Sequence, residues 1–137
     1  MANNTNYTHK LREAFYHCID TCQAALDILD ETMKSTDAAR AMLARQTAVQ
    51  ACQKCIEACK QMHASAAMYL QHATETDSIF HVRDAVEKAS ICIAACEQME
   101  GACNSVSERC PDIIASAINT LGDCITSCRK AAEHPDL

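Results

Sequence analysis

Four Cys-x-x-x-Cys pairs run through the chain: Cys18/Cys22, Cys55/Cys59, Cys92/Cys96 and Cys124/Cys128. Cys52, Cys103 and Cys110 bring the total to 11 cysteines in 137 residues. On a helix, four-residue spacing sets two thiols one turn apart on the same face. Their Cβ atoms are then roughly 5–6 Å apart, close enough for both sulfurs to lean toward one metal ion. Thiolates are soft ligands, and they select Cu(I), Zn(II) and iron–sulfur clusters.

These three metal classes make different demands. Zinc wants isolated tetrahedral sets, usually on short Cys-x2-4-Cys loops that fold around the ion. Iron–sulfur clusters also favour loop-borne cysteines at tighter spacings. Cu(I) accepts two or three thiolates and can share a bridging sulfur with its neighbour. Each Cu(I) also cancels one thiolate charge, as a buried stack of sulfurs requires. Disulfides are the main rival. Within a helix the pair is badly placed, because a bridge needs Cβ atoms about 4 Å apart. Bridges between helices stay open, as in the twin Cys-x3-Cys hairpins of the mitochondrial intermembrane space, which are shorter chains with two such motifs.

The elements that must carry these thiols are helices. Only two glycines and two prolines interrupt the chain, tryptophan is absent and aromatics are 4%. A single domain over residues 1–137 is expected, with helices at about 7–34, 37–73, 77–109 and 111–133. Ser35-Thr36-Asp37 and Thr74-Glu75-Thr76-Asp77 supply cap-like breaks, and Pro111 opens the last helix. Each helix shows an apolar seam at alternating spacings of three and four. The seams are Leu11, Phe15, Cys18, Cys22, Ala25, Leu29; then Cys52, Cys55, Cys59, Met62, Ala66, Tyr69. The third is Val82, Ala85, Ala89, Cys92, Cys96, Met99, Cys103, Val106, Cys110, and the fourth Ile114, Ala117, Leu121, Cys124, Cys128, Ala131. Every cysteine lies on a seam and no histidine does. Free cysteine is often buried, which accounts for inward thiols but not for so many.

Short connections imply antiparallel neighbours, so the fold class is an all-α, antiparallel up-down four-helix bundle with a cysteine-lined core. Pairing residues equidistant from each turn predicts four sulfur layers. They are Cys22, Ala48, Cys103, Ala117; Cys18, Cys52, Met99, Leu121; Phe15, Cys55, Cys96, Cys124; and Leu11, Cys59, Cys92, Cys128. Cys110 stands apart at the last turn.

This arrangement resembles the bacterial copper storage proteins, a cysteine-rich four-helix-bundle family, over essentially the whole chain. The resemblance implies a bundle that fills with several Cu(I) ions through thiolate pairs and bridges, and that assembles as a homotetramer. By position, it makes ligands of Cys18, Cys22, Cys52, Cys55, Cys59, Cys92, Cys96, Cys103, Cys124 and Cys128, with Cys110 at the turn. The family has exported and cytosolic forms. Leu11, Phe15, Ala48, Ala117 and Leu121 interrupt the sulfur column, so the expected capacity is near the number of core cysteines.

Beyond the thiols, Met99 is a candidate thioether ligand, with ordinary packing as its alternative. Met62 lies toward the end holding both termini, where His9, His63, His72 and His134 also map. Met62 and His134 are therefore candidates for relaying copper at an entrance there, with solvated helix histidines as the alternative. His17 and His81 read as surface residues. Partners are copper ions and a possible copper chaperone or chelator as donor or acceptor. A net charge of −6 gives no basic patch for nucleic acid. No segment approaches the length of a membrane span. The N-terminus, which carries Met1, shows no secretory signal, so a cytoplasmic location is expected. Thiols facing one another, without a neighbouring base, do not suggest an enzyme. The alternatives to Cu(I) storage are a structural or redox protein with inter-helix disulfides, or a zinc-binding bundle.

Overall fold

With so few breakers, backbone hydrogen bonding runs almost unbroken. The computed structural model describes residues 2–34, 38–74, 76–104, 110–135 and 137, and within them all side chains except those of 2–6, 38–45, 76, 102–104, 110 and 111. Four helices form: α1 (Ala2–Lys34), α2 (Ala38–His72), α3 (Thr76–Asn104) and α4 (Cys110–Ala132). The first begins earlier than residue 7, with no Gly or Pro in Ala2–Asn6 to break it, although Asn and Thr there are weak helix formers. The expected extension of the third to residue 109, and the Ser35-Thr36-Asp37 cap, lie outside the described residues. Pro111 sits in the first turn of α4, where its missing N–H costs nothing. Asp112 in that turn, with Arg129 and Lys130 in the last, complements the helix dipole.

The helices pack in a ring, α1 on α2, α2 on α3, α3 on α4 and α4 on α1, which sets α1 diagonal to α3 and α2 to α4. Neighbours run antiparallel. Cys18 meets Cys59 while Cys22 meets Cys55, so partner numbers fall along α2 as they rise along α1. The same holds for α2 and α3, where Cys55 faces Cys92 and Tyr69 faces Ser78. The sequence therefore produces the expected all-α up-down bundle, and no described residue is in a strand. No described helix is long and apolar enough to cross a membrane.

All seam residues whose side chains are described are buried. The seam assignment is right; the register of α1 is not. Cys22 was expected level with Ala48 and meets Cys55, and Cys18 was expected level with Cys52 and meets Cys59. Helix α1 sits one heptad further along α2 than equal spacing from a turn at residue 35 implies. Seams repeat every seven residues, so registers one heptad apart bury the same faces, and periodicity alone does not choose between them. In the observed register Leu29 stands level with Ala48, Phe15 with Met62 and Leu11 with Ala66. Between α2 and α3 the expected pairing is nearly kept, with Cys55 facing Cys92 at 3.7 Å and Cys59 in the same cluster.

Polar contacts tie one end of the bundle. Arg12 of α1 donates from Nε to the Ala132 carbonyl (3.3 Å), an acceptor that the end of α4 leaves open, and from Nη2 to Leu137 O (2.8 Å) beyond it. Leu137 is itself buried in the core. The Tyr69 hydroxyl and Ser78 Oγ, both buried, hydrogen-bond at 2.8 Å. Phe15 is the largest fully buried side chain of the core. Phe15→Ala is expected to cost about 3–5 kcal/mol, read as a lower urea midpoint with the helical circular dichroism of the native state retained.

Candidate metal centre

None of the nine described cysteines is in a disulfide, and all nine are buried. Helical pairs place Cys18 and Cys22 Sγ atoms 3.9 Å apart on α1, and Cys124 and Cys128 the same distance apart on α4. Between helices the sulfurs come closer: Cys22–Cys55 at 2.9 Å, Cys18–Cys59 at 3.4 Å and Cys55–Cys92 at 3.7 Å. Two four-thiol groups result, each with all its sulfurs within 4.8 Å of one another. One is Cys18, Cys22, Cys59 and Cys124; the other is Cys22, Cys55, Cys59 and Cys92. They share Cys22 and Cys59. The six sulfurs come from all four helices, and together they can hold metal ions.

This cluster differs from the predicted layers in its α1 partners. Sequence periodicity set Cys124 beside Phe15 and Cys128 beside Leu11, whereas Cys124 lies with Cys18 and Cys22. The slide of α1 converts an extended column into a denser knot. Cys128 touches the knot through Cys124. Cys52 and Cys96 are buried and interact with each other, and Met99 is fully buried on the same helix as Cys96. The side chains of Cys103 and Cys110 lie outside the described residues. The sharing of two sulfurs follows from the α1 register, for which heptad periodicity carries no signal.

No histidine joins either thiol group. His9 pairs with Glu13 at 3.1 Å on the exposed face of α1. The His63 ring Nε2 bonds the Val86 carbonyl at 3.1 Å, and His72 stacks on Tyr7 at 4.5 Å. His134 packs on His81 with ring centroids 5.0 Å apart. His81, expected as a surface residue, is half-buried there, because the turn after α4 folds His134 back toward α3. His17 is exposed as expected, and Met62 is fully buried.

The electrostatics of the knot follow from its isolation. Among the described residues the only buried polar or charged side chains are Thr32, Ser78 and Ser127, so no buried cation offsets a thiolate. The thiols must therefore balance one another. Cys55 is held down to about 6, chiefly by hydrogen bonding with Cys22, and Cys124 is lowered by Cys128, Cys18, Cys22 and Cys59. Cys18 is pushed up by Cys124, but Cys128, Cys22 and Cys59 outweigh that and lower it to about 6. Cys22, Cys59, Cys92 and Cys128 are raised, each most strongly by Cys124. Cys52 is raised by Cys96 and by burial. A few sulfurs accept S–H bonds as thiolates while their neighbours keep protons.

No protein-family model, curated protein or solved structure matches this chain. What fold and site define is a class: a four-helix bundle whose buried cysteine clusters can hold metal ions.

The thiol network gives the reduced, metal-free protein a stability maximum in pH. An unfolded cysteine titrates near 8.5. Cys18 and Cys55, at about 6 in the fold, contribute stability above 8.5 that is lost as pH falls toward 6. The raised thiols, Cys22, Cys52, Cys59, Cys92 and Cys128, stay protonated where the unfolded chain ionises, so their contribution is lost as pH rises above about 8.5. Urea midpoints should therefore climb from pH 6 to about 8.5 and drop by pH 10. A midpoint still rising at pH 10 contradicts this account.

Proposed function

We propose that the protein sequesters several Cu(I) ions on its core thiolates, for storage or detoxification, in the manner of the copper storage family it resembles. The observation that carries this reading is the pair of four-thiol groups sharing Cys22 and Cys59. Shared sulfurs suit a metal that accepts bridging thiolates at low coordination number. Charge points the same way. A zinc ion on four thiolates keeps two negative charges, and in loop-borne zinc sites backbone N–H groups can point at the sulfurs. Here the cysteines lie within helices, whose N–H groups are already used in helical bonds. With no described buried cation, a one-to-one balance of Cu(I) and thiolate is the cheaper filling.

The functional picture follows from that cargo. Metal loading displaces the protons held by the raised thiols, so uptake weakens as pH falls. The resemblance adds a homotetramer, and the reading takes a cytoplasmic location with a copper chaperone or chelator as donor and acceptor. The protein acts as a reservoir, and no step of covalent catalysis is assigned to it.

Anaerobic titration of the reduced protein with Cu(I) against a chromogenic chelator tests the reading. Tight uptake is expected to continue to a stoichiometry near the number of core cysteines. Saturation at one or two ions per chain would sink it and favour the zinc or disulfide alternative. Within the same assay, Cys22→Ser is expected to lose more tight Cu(I) than Cys52→Ser. Cys22 belongs to both four-thiol groups and Cys52 to neither. Equal losses from the two variants would remove the special role of the shared sulfurs.

A further inference from the structure

We propose that Cys22 and Cys55 form a reversible disulfide in the metal-free protein, and that this modification lowers the metal capacity of the thiol cluster. Their Sγ atoms lie 2.9 Å apart, on α1 and α2. Two further inter-helix sulfur contacts, Cys18–Cys59 and Cys55–Cys92, stand at 3.4 and 3.7 Å. A disulfide is about 2.05 Å long, so the Cys22–Cys55 gap closes with a displacement of about 1 Å. The pairs within one helix are less suited. Cys18/Cys22 and Cys124/Cys128 stand at 3.9 Å, on Cβ atoms one helical turn apart.

The oxidant is a hydroperoxide. One thiol attacks the peroxide, an S–O bond forms as the O–O bond breaks, and one water leaves. The resulting sulfenic acid is attacked by the facing thiol, the S–S bond forms, and a second water carries away the hydroxyl. The two sulfurs together lose two electrons and two protons, and the peroxide is reduced to two waters. Hydrogen peroxide is small enough to reach a buried pair when the helices open locally. A thiol reductant reverses the bond by exchange.

The consequence comes from where the pair sits. Cys22 belongs to both four-thiol groups and Cys55 to one. A single cross-link leaves Cys18, Cys59 and Cys124 of the first group and only Cys59 and Cys92 of the second. An occupied cluster holds the two sulfurs on metal and withholds them from peroxide, so the switch acts on the empty protein. The cross-link stands on its own geometry, while its effect on copper rests on the storage reading.

The test treats the reduced, metal-free full chain with one equivalent of hydrogen peroxide. The expected product has lost two hydrogen atoms in intact mass and yields a tryptic cross-link between fragments 13–34 and 55–60. Fragmentation of that cross-link is expected to place the bond on Cys22 and Cys55. The Cys18→Ser/Cys59→Ser variant, in which only that pair remains in the two fragments, is expected still to link. A bond mapped to Cys18 and Cys59, or no cross-link before sulfinic acid appears, overturns the proposal. The linked protein is expected to take up fewer tight Cu(I) ions than the reduced chain, and dithiothreitol to restore the difference. Unchanged uptake by the linked chain overturns the switch. A chain that cross-links as mapped but takes up no Cu(I) even when reduced retains the modification site and loses the storage reading instead.

Discussion

A neutral thiol is at home in an apolar core, whereas a thiolate there needs a compensating charge or several hydrogen bonds. This asymmetry governs the protein. Nine described cysteines are buried among Leu, Ile, Ala and Phe with no buried lysine or arginine beside them. The fold can exist without metal because most thiols keep their protons and pass S–H bonds from one sulfur to the next. It is ready for metal because Cys55 and Cys18 are already held near 6 by those neighbours. A metal ion held by the clusters would resolve what the thiols only share out.

Helices are what make such a core buildable. A loop-borne site gathers its ligands locally, and each loop must leave its backbone groups hydrogen-bonded by other means. A helix satisfies its backbone internally and offers a thiol every turn along one face. Two such faces meeting antiparallel bring Cys18 and Cys22 onto Cys59 and Cys55. The remaining seam positions hold the helices together around the sulfur. Phe15, Leu11 and Met62 pack the segment toward the chain termini, where Arg12 and the Tyr69–Ser78 bond tie the ends of the bundle. Rigid supports on every side keep sulfurs close without requiring a metal to assemble them.

Much of this was legible in the residues. Seam spacing picked out Leu11, Phe15, Leu29, Val82, Leu121 and their neighbours as core, and each is buried. It placed Cys92 close to Cys59 across α2 and α3, and both fall in one thiol group. The register of α1 was not legible, because a seam that repeats every heptad looks the same after a slip of seven residues. Local spacing also could not show that the segment after α4 turns back, which brings His134 to His81 and buries Leu137. Those contacts join residues far apart in the chain, and nothing in their immediate neighbours encodes the approach.

The sequence by itself determined that this chain is four helices, that each turns its described cysteine side chains inward, and that the surface is left to charges such as Glu13, Asp20, Glu57 and Glu87. Periodicity is a local property, and a helix expresses it wherever it packs. Only the tertiary structure decided which thiols meet. Packing across the α1–α2 interface sets one heptad register over another. That choice made Cys22 and Cys59 common to two four-thiol groups and set Cys22 within 2.9 Å of Cys55.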